Sequence, residues 1–429
     1  MKLSTLLKMA LYTLGINFCF LPASAQMPAN YDEDKIKPYQ LPDPLRMENG
    51  KTVTSSKQWE KQRIAILNLF KTHVYGAMPG KVAGLTFRTL SVDSMALDGK
   101  AIRKQIAVIF GKDANSPKME VLLYLPVEAK SPVPVFAGLN FYGNQTVHTD
   151  PGINLPTGWI ANGPTGVENN IANVASRGFQ TERWQLEELI SRGYGLATAY
   201  YGDLEPDHAE GWKTGIRTTL AKSLGLQAQE WSAIGAWAWG LSRMMDYLET
   251  EPLVNARQVA LTGHSRLGKA ALWAAANDTR FAIVISNNSG EGGAALARRN
   301  YGETVEVINT SFPHWFVAKF KEYNKDPNQL PVDQHMLLAL MAPRPLYVAS
   351  AVEDQWADPK GEFLGAKHAE PVYQLFNKKG LGVVQMPDVN QPVGDVVAYH
   401  IRSGKHDINA YDWQQYLNFA DRHFNNPAK

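Results

Sequence analysis

The chain has 429 residues, 45% hydrophobic and 20% charged, with 34 Gly and 25 Pro, so it has material for a large core and is neither disordered nor collagen-like. Its 43 basic and 41 acidic residues nearly cancel, which leaves no broad cationic field to hold nucleic acid or an anionic membrane. Length admits two or three domains, or one large α/β unit with insertions.

Residues 1–25 read as a secretory signal. Lys2 and Lys8 supply the positive start, Met9 to Leu21 is apolar, and Ala23-Ser24-Ala25 offers small residues before Gln26. The apolar run is shorter than the roughly 20 residues a spanning helix needs. Cys19 follows the bulky Phe18, which argues against lipidation. Lys2 and Lys8 are the only charges in this segment, so cleavage after Ala25 leaves equal numbers of basic and acidic residues and removes the only cysteine. An exported, disulfide-free protein of a bacterial periplasm or exterior is expected, working as a monomer.

Residues 26 to about 60 are polar and interrupted by Pro38, Pro42 and Pro44, and read as an arm over the surface. A helix is expected over Gln58 to Val74, with Ile64, Ile66, Leu67 and Phe70 on its period. Strands are expected at Ile102 to Phe110, Val121 to Leu125 and Val133 to Leu139. From 145 to about 180 the chain is rich in Gly, Asn and Pro without period, as in a functional insertion at a rim or lid. A helix capped by Thr181 and running to Arg192, a strand from Tyr194 to Tyr200 and a buried helix from Gln227 to Leu248 with Trp231, Trp237 and Trp239 follow. Further strands are expected at Gln258 to Thr262, Phe281 to Ser286, Pro345 to Ser350 and Val396 to Ile401, with a last helix from Tyr411 to Phe424. Strands alternating with helices predict a parallel sheet covered on both faces.

In Val259 to Ala271, a strand runs into Gly263, a tight turn carries Ser265, and a helix starts at once. That is the setting of a nucleophile elbow, in which the turn lifts a hydroxyl above the sheet and helix N–H groups face a developing oxyanion. Gly263 and Gly268 would let strand and helix approach, although the second glycine falls one position later than in G-x-S-x-G. The alternative is that Ser265 merely caps the helix. A nucleophile needs an acid and then a histidine downstream. Glu353 and Asp354 follow one late strand, and His406 lies in the Gly-containing loop after the last.

Gly263-His264-Ser265-Arg266-Leu267-Gly268-Lys269 resembles the G-x-S-R-x-G-K signature of glucuronoyl esterases, carbohydrate esterase family 15. Asn287 to Gly293, Phe312-Pro313-His314-Trp315-Phe316, Ala342-Pro343-Arg344-Pro345, Asp354 to Pro359 and Lys405-His406-Asp407 resemble family landmarks in the same order. The resemblance implies one α/β-hydrolase domain over 26–429, a three-layer αβα sandwich with a mostly parallel twisted sheet and rim insertions. It further implies hydrolysis of esters that join xylan glucuronoyl groups to lignin alcohols. Carried over by position, Ser265 is the nucleophile and His406 the base. Arg266 steadies the oxyanion, while Lys269, Glu303 and Trp356 hold the sugar.

The chain departs from the family twice. Asn288 stands where many members place the triad glutamate, so the acid is assigned to Asp354 with Glu353 as its rival. Ser311 replaces a frequent uronate-binding glutamine, which puts substrate preference in question. Neither metal nor cofactor is expected, since His73 and His148 lack ligand partners at zinc spacing. Two rival functions remain: an acetyl xylan or feruloyl esterase on the same fold, and a carbohydrate-binding protein with a dead site, for which Asn288 is the best support.

Overall fold

The computed structural model describes residues 29–113 and 115–424. The signal segment, with Lys2, Lys8 and Cys19, lies outside the described residues. The described residues form twelve strands: β1 Leu85–Met95, β2 Ala101–Phe110, β3 Lys118–Pro126, β4 Val133–Asn140, β5 Val167–Glu168, β6 Ile171–Ala172, β7 Gly195–Tyr200, β8 Val254–His264, β9 Ile283–Asn287, β10 Leu346–Ala351, β11 Val393–Gly394 and β12 Val397–Arg402. Ten of them form one sheet in the order β1-β2-β3-β7-β4-β8-β9-β10-β12-β11. From β7 through β12 every pair is parallel, while β1 to β3 and the terminal β11 pair antiparallel.

Burial explains the sequence character of these strands. All eight residues of the central β4 are buried, as expected for a strand covered on both faces, while the edge strand β1 is largely exposed. Side chains alternate between two cores. Val135, Ala137, Leu261 and Val348 join the helices Ala233–Leu248, Arg266–Asn277 and Pro359–Gln374 on one face. Phe136, Ala260, Ile285 and Tyr347 join Leu186–Ser191 and Ala410–Phe424 on the other. These are the three αβα layers, and the fold is that of an α/β-hydrolase.

Several expected elements differ in extent. The first long helix is Ser56–Phe70, and it buries Trp59, Gln62, Ile66 and Phe70 while Ile64 faces solvent. The Thr181–Arg192 helix is two, Thr181–Trp184 and Leu186–Ser191, because Gln185 between them is left-handed at φ 42°. Thr181 caps nothing; its hydroxyl donates to Gly178 O at 2.8 Å. The apolar helix begins only at Ala233, where the Ser232 hydroxyl accepts from Gly235 N at 3.0 Å, so Trp231 lies before it. Within the 145–180 insertion, β5 and β6 form a hairpin across Asn169 and Asn170, both at positive φ. Two left-handed central residues define the type I′ turn, and asparagine tolerates them.

Candidate active site

Ser265 occupies the single residue between β8 and the helix Arg266–Asn277, at φ 56° and ψ −130°. A non-glycine residue held there is strained, as at the turn of a nucleophile elbow. The turn is fixed by its backbone: Ser265 N donates to Asn287 O at 2.9 Å, and Ser265 O accepts from Gly268 N at 2.9 Å. Its side chain makes no capping hydrogen bond, so the capping alternative fails. A Cβ on Gly263 would lie 2.1 Å from Leu267 O, and one on Gly268 would lie 3.0 Å from Gly263 O. The displaced second glycine therefore meets the same need for close strand-to-helix approach.

Ser265 opens into a cleft of about 340 Å³ that Arg266, Lys269, Asn288, Glu303, Trp356 and His406 also line. His406 Nδ1 lies 2.6 Å from Asp354 Oδ2. A carboxylate can only accept, so the ring proton sits on Nδ1 and Nε2 is left with its lone pair. The Asp354 side chain is 3% exposed and that of His406 41%. Glu353 is exposed and touches this loop through its backbone, donating from N to Gly404 O at 3.0 Å. Asn288 also faces the acid: its Nδ2 donates to Asp354 Oδ2 at 2.7 Å.

Arg266, next to the serine, has its guanidinium 2.7 Å from Asp207 Oδ2 and over the rings of Phe141 and Trp315, at 5.3 and 5.1 Å. Lys269, on the next turn of the helix, is buried; it donates to Ser289 O at 2.6 Å and stands 3.9 Å from Glu303 Oε2. Burial lowers the Lys269 ammonium from its ordinary range and raises the Glu303 carboxyl, and each partner's charge opposes the other's shift. Glu303 N donates to Trp356 O at 2.8 Å, which sets the tryptophan beside the pair. Ser311 ends the helix Val305–Ser311, exposed and away from the cleft lining. Among the described residues, none of 145–180 lines this cleft, while Gln180 lines a neighbouring pocket with Phe141 and His264.

Comparison with known proteins finds esterases similar in sequence and in fold. A family model described as glucuronyl esterase of fungi matches residues 223–377, a span that holds Ser265 and Asp354 and ends before His406. Carbohydrate esterase MZ0003, from an unknown prokaryotic organism, is 49% identical over 93% of this chain and 93% of its own length. A solved glucuronoyl esterase from Solibacter usitatus is 50% identical, covering 91% of this chain and 100% of that one with a TM-score of 0.86. The chain belongs to the glucuronoyl esterases of carbohydrate esterase family 15. It is a carboxylic ester hydrolase. A further solved structure, titled as a promiscuous esterase of the same family from a marine bacterial metagenome, is 48% identical over 92% of this chain and 100% of that one, with a TM-score of 0.87.

Further residues surround the glucuronoyl esterase cleft, and one of them, Asp207, carries no sequence signal. Asp207, in an irregular stretch after β7, accepts from Arg266, from His314 Nε2 at 2.8 Å, from Trp315 Nε1 at 2.7 Å and from the Tyr201 hydroxyl at 3.0 Å. Burial raises its carboxyl, yet the donors and cations outweigh that and hold it below its ordinary value. The Phe312 to Phe316 landmark thus supplies two donors to Asp207 and, with Phe312 stacked on Trp315 at 3.8 Å, one wall of the cleft. Behind the elbow, Glu362 accepts from Ser289 N at 2.7 Å, Gly290 N at 3.0 Å and the Ser350 hydroxyl at 2.6 Å. His264, beside the serine, turns from the cleft to Asn287 Oδ1 at 2.6 Å and packs against the His406 ring at 4.6 Å between centroids. Arg344 of the Ala342 to Pro345 landmark donates to Ala275 O at 2.7 Å and Phe281 O at 2.9 Å, tying the helix that starts at Arg266 to β9.

Proposed function

We propose that the enzyme cleaves glucuronate esters through a Ser265–His406–Asp354 acyl transfer, and that its natural targets are the esters joining xylan glucuronoyl groups to lignin alcohols. His406 Nε2 takes the Ser265 proton as the hydroxyl attacks the C6 carbonyl, and the tetrahedral oxyanion forms against the Arg266 backbone N–H and guanidinium. The imidazolium, paired with Asp354, then gives its proton to the departing alcohol, and water releases the uronate by the same steps. Asn288 keeps the acid in place by donating a hydrogen bond, so the loss of a carboxylate at that position accompanies an acid on the next strand loop.

The observation that carries the reading is the buried Lys269–Glu303 pair beside Ser265. A short acyl pocket would be apolar, because leaving two charges desolvated without a polar ligand costs several kcal/mol. A sugar acid offers hydroxyls that donate to Glu303 and oxygens that accept from Lys269. A broader ester range is the second reading, favoured by the 48% identity to a protein whose title calls it promiscuous.

Rates on benzyl glucuronate, acetylated xylan and nitrophenyl acetate, for wild type, Asp354→Ala and Glu353→Ala, test both. Preference for the uronate ester, with a loss of roughly 10³–10⁴-fold in Asp354→Ala and under twofold in Glu353→Ala, is expected. Dominant acetyl release would overturn the substrate, and equal losses in both variants would overturn the triad.

A further inference from the structure

Residues 29–35 are fastened to the segments that carry Glu303 and Trp356. Asn30 O accepts from Gly302 N at 2.8 Å, and the Tyr301 hydroxyl bridges Gln355 Oε1 at 2.5 Å and the Tyr31 carbonyl oxygen at 3.2 Å. Glu33 takes Arg299 Nη2 at 2.6 Å on one oxygen and Lys360 Nζ at 2.8 Å on the other. Gly302 and Gln355 directly precede Glu303 and Trp356, which are themselves joined by a backbone hydrogen bond at 2.8 Å. The arm therefore lies one residue from two side chains that line the cleft. At this position Tyr31 is 52% exposed, and its ring meets Tyr301 edge-on with centroids 6.1 Å apart. The Asp354 carboxylate acts on the Tyr31 phenol, adding to the upward shift from burial, which agrees with their proximity.

An ordered segment that leaves a large ring uncovered loses entropy without burying apolar area. The buried Arg299 and the exposed Lys360 nevertheless pin it through Glu33. We infer that Tyr31 is the outer platform of the substrate cleft, on which a neutral pyranose of the xylan main chain stacks while the esterified glucuronate occupies the Lys269–Glu303 end. This rests on the uronate reading above. A pyranose has a flat face of C–H groups, which suits the open face of a tyrosine ring such as Tyr31. The cation over an aromatic ring here, Arg299, sits at 5.6 Å on Tyr301 rather than on Tyr31, so the platform favours an uncharged sugar over a second uronate.

The test compares kcat/KM of wild type, Tyr31→Ala and Tyr31→Trp on benzyl glucuronate, on methyl glucuronate and on a methyl-esterified glucuronoxylo-oligosaccharide. Tyr31→Ala should lose about 5–20-fold on the oligosaccharide, mostly in KM, and under twofold on both small esters; Tyr31→Trp should keep wild-type rates. A loss confined to the benzyl ester would give the ring to the alcohol instead, and equal losses or none would also overturn the proposal. Calorimetric binding of the unesterified oligosaccharide to Ser265→Ala protein, with and without Tyr31→Ala, reads the platform without turnover, and an unchanged Kd would sink it. Failure of the uronate reading is visible separately, as wild-type protein that hydrolyses neither glucuronate ester, and the binding arm still decides the platform.

Discussion

On one side of Ser265 the Arg266 guanidinium is caught between two aromatic rings and tied to a carboxylate that has three further donors; on the other side His406 is 41% exposed and held through one oxygen of Asp354. The contrast follows from what each group does in the proposed reaction. A donor to an oxyanion gains its effect by being oriented before charge appears, so every constraint on Arg266 counts. A general base carries a proton from the serine to the departing alcohol and then from water back to the serine, and it needs a fixed tautomer with access to each.

The clamped side should break most visibly. Asp207→Ala leaves Arg266 without its anchor and is expected to lower kcat on a glucuronate ester by about 10²-fold, near the cost of losing an oxyanion donor, with KM changing less. Asp207→Asn keeps a hydrogen-bond acceptor for Trp315 without the charge and should lose roughly tenfold. If both variants, folded by circular dichroism, keep wild-type kcat, the clamp is structural only. The softer side should respond less: Asn288→Ala removes one of two donors to Asp354 Oδ2, and a 3–10-fold fall in kcat is expected from steady-state rates.

The smallest effect concerns the scaffold between the two sides. Burial raises the Glu362 carboxyl to about 8 from an ordinary 4.5, against the donors that surround it. The native state then keeps a proton that the unfolded chain releases near 4.5, so this group's stabilisation is full below that pH and is lost as pH rises through about 8. Thermal melts of wild type should decline from pH 5 to 8, and those of Glu362→Gln should decline less. Parallel curves for the two proteins would remove Glu362 from the pH response.

Legibility in the sequence followed the range of the interaction. The strand, turn and helix around Ser265 were readable because the geometry is local, and the glycines at 263 and 268 announce it. The alternating strands and helices gave the sheet, yet β1 was missed, since an exposed edge strand such as Leu85–Met95 has little apolar pattern to detect. The sequence favoured Asp354 over its neighbour Glu353 only through the family resemblance; the fold turns Asp354 toward His406. Asp207 had no motif at all, because its four donors come from Tyr201, Arg266, His314 and Trp315, which meet it through tertiary structure. The 145–180 stretch read as a rim or lid because it lacks period, while the Asn169-Asn170 turn was the overlooked sign of its own hairpin.

His406 follows β12, the last strand in chain order, and that strand joins the sheet by pairing in parallel with β10. Parallel pairs close long loops and form late relative to local structure. Ester turnover during refolding would therefore count only molecules whose final strand has docked, while circular dichroism or tryptophan emission would also count those with most of the sheet built and no base yet in reach of the serine.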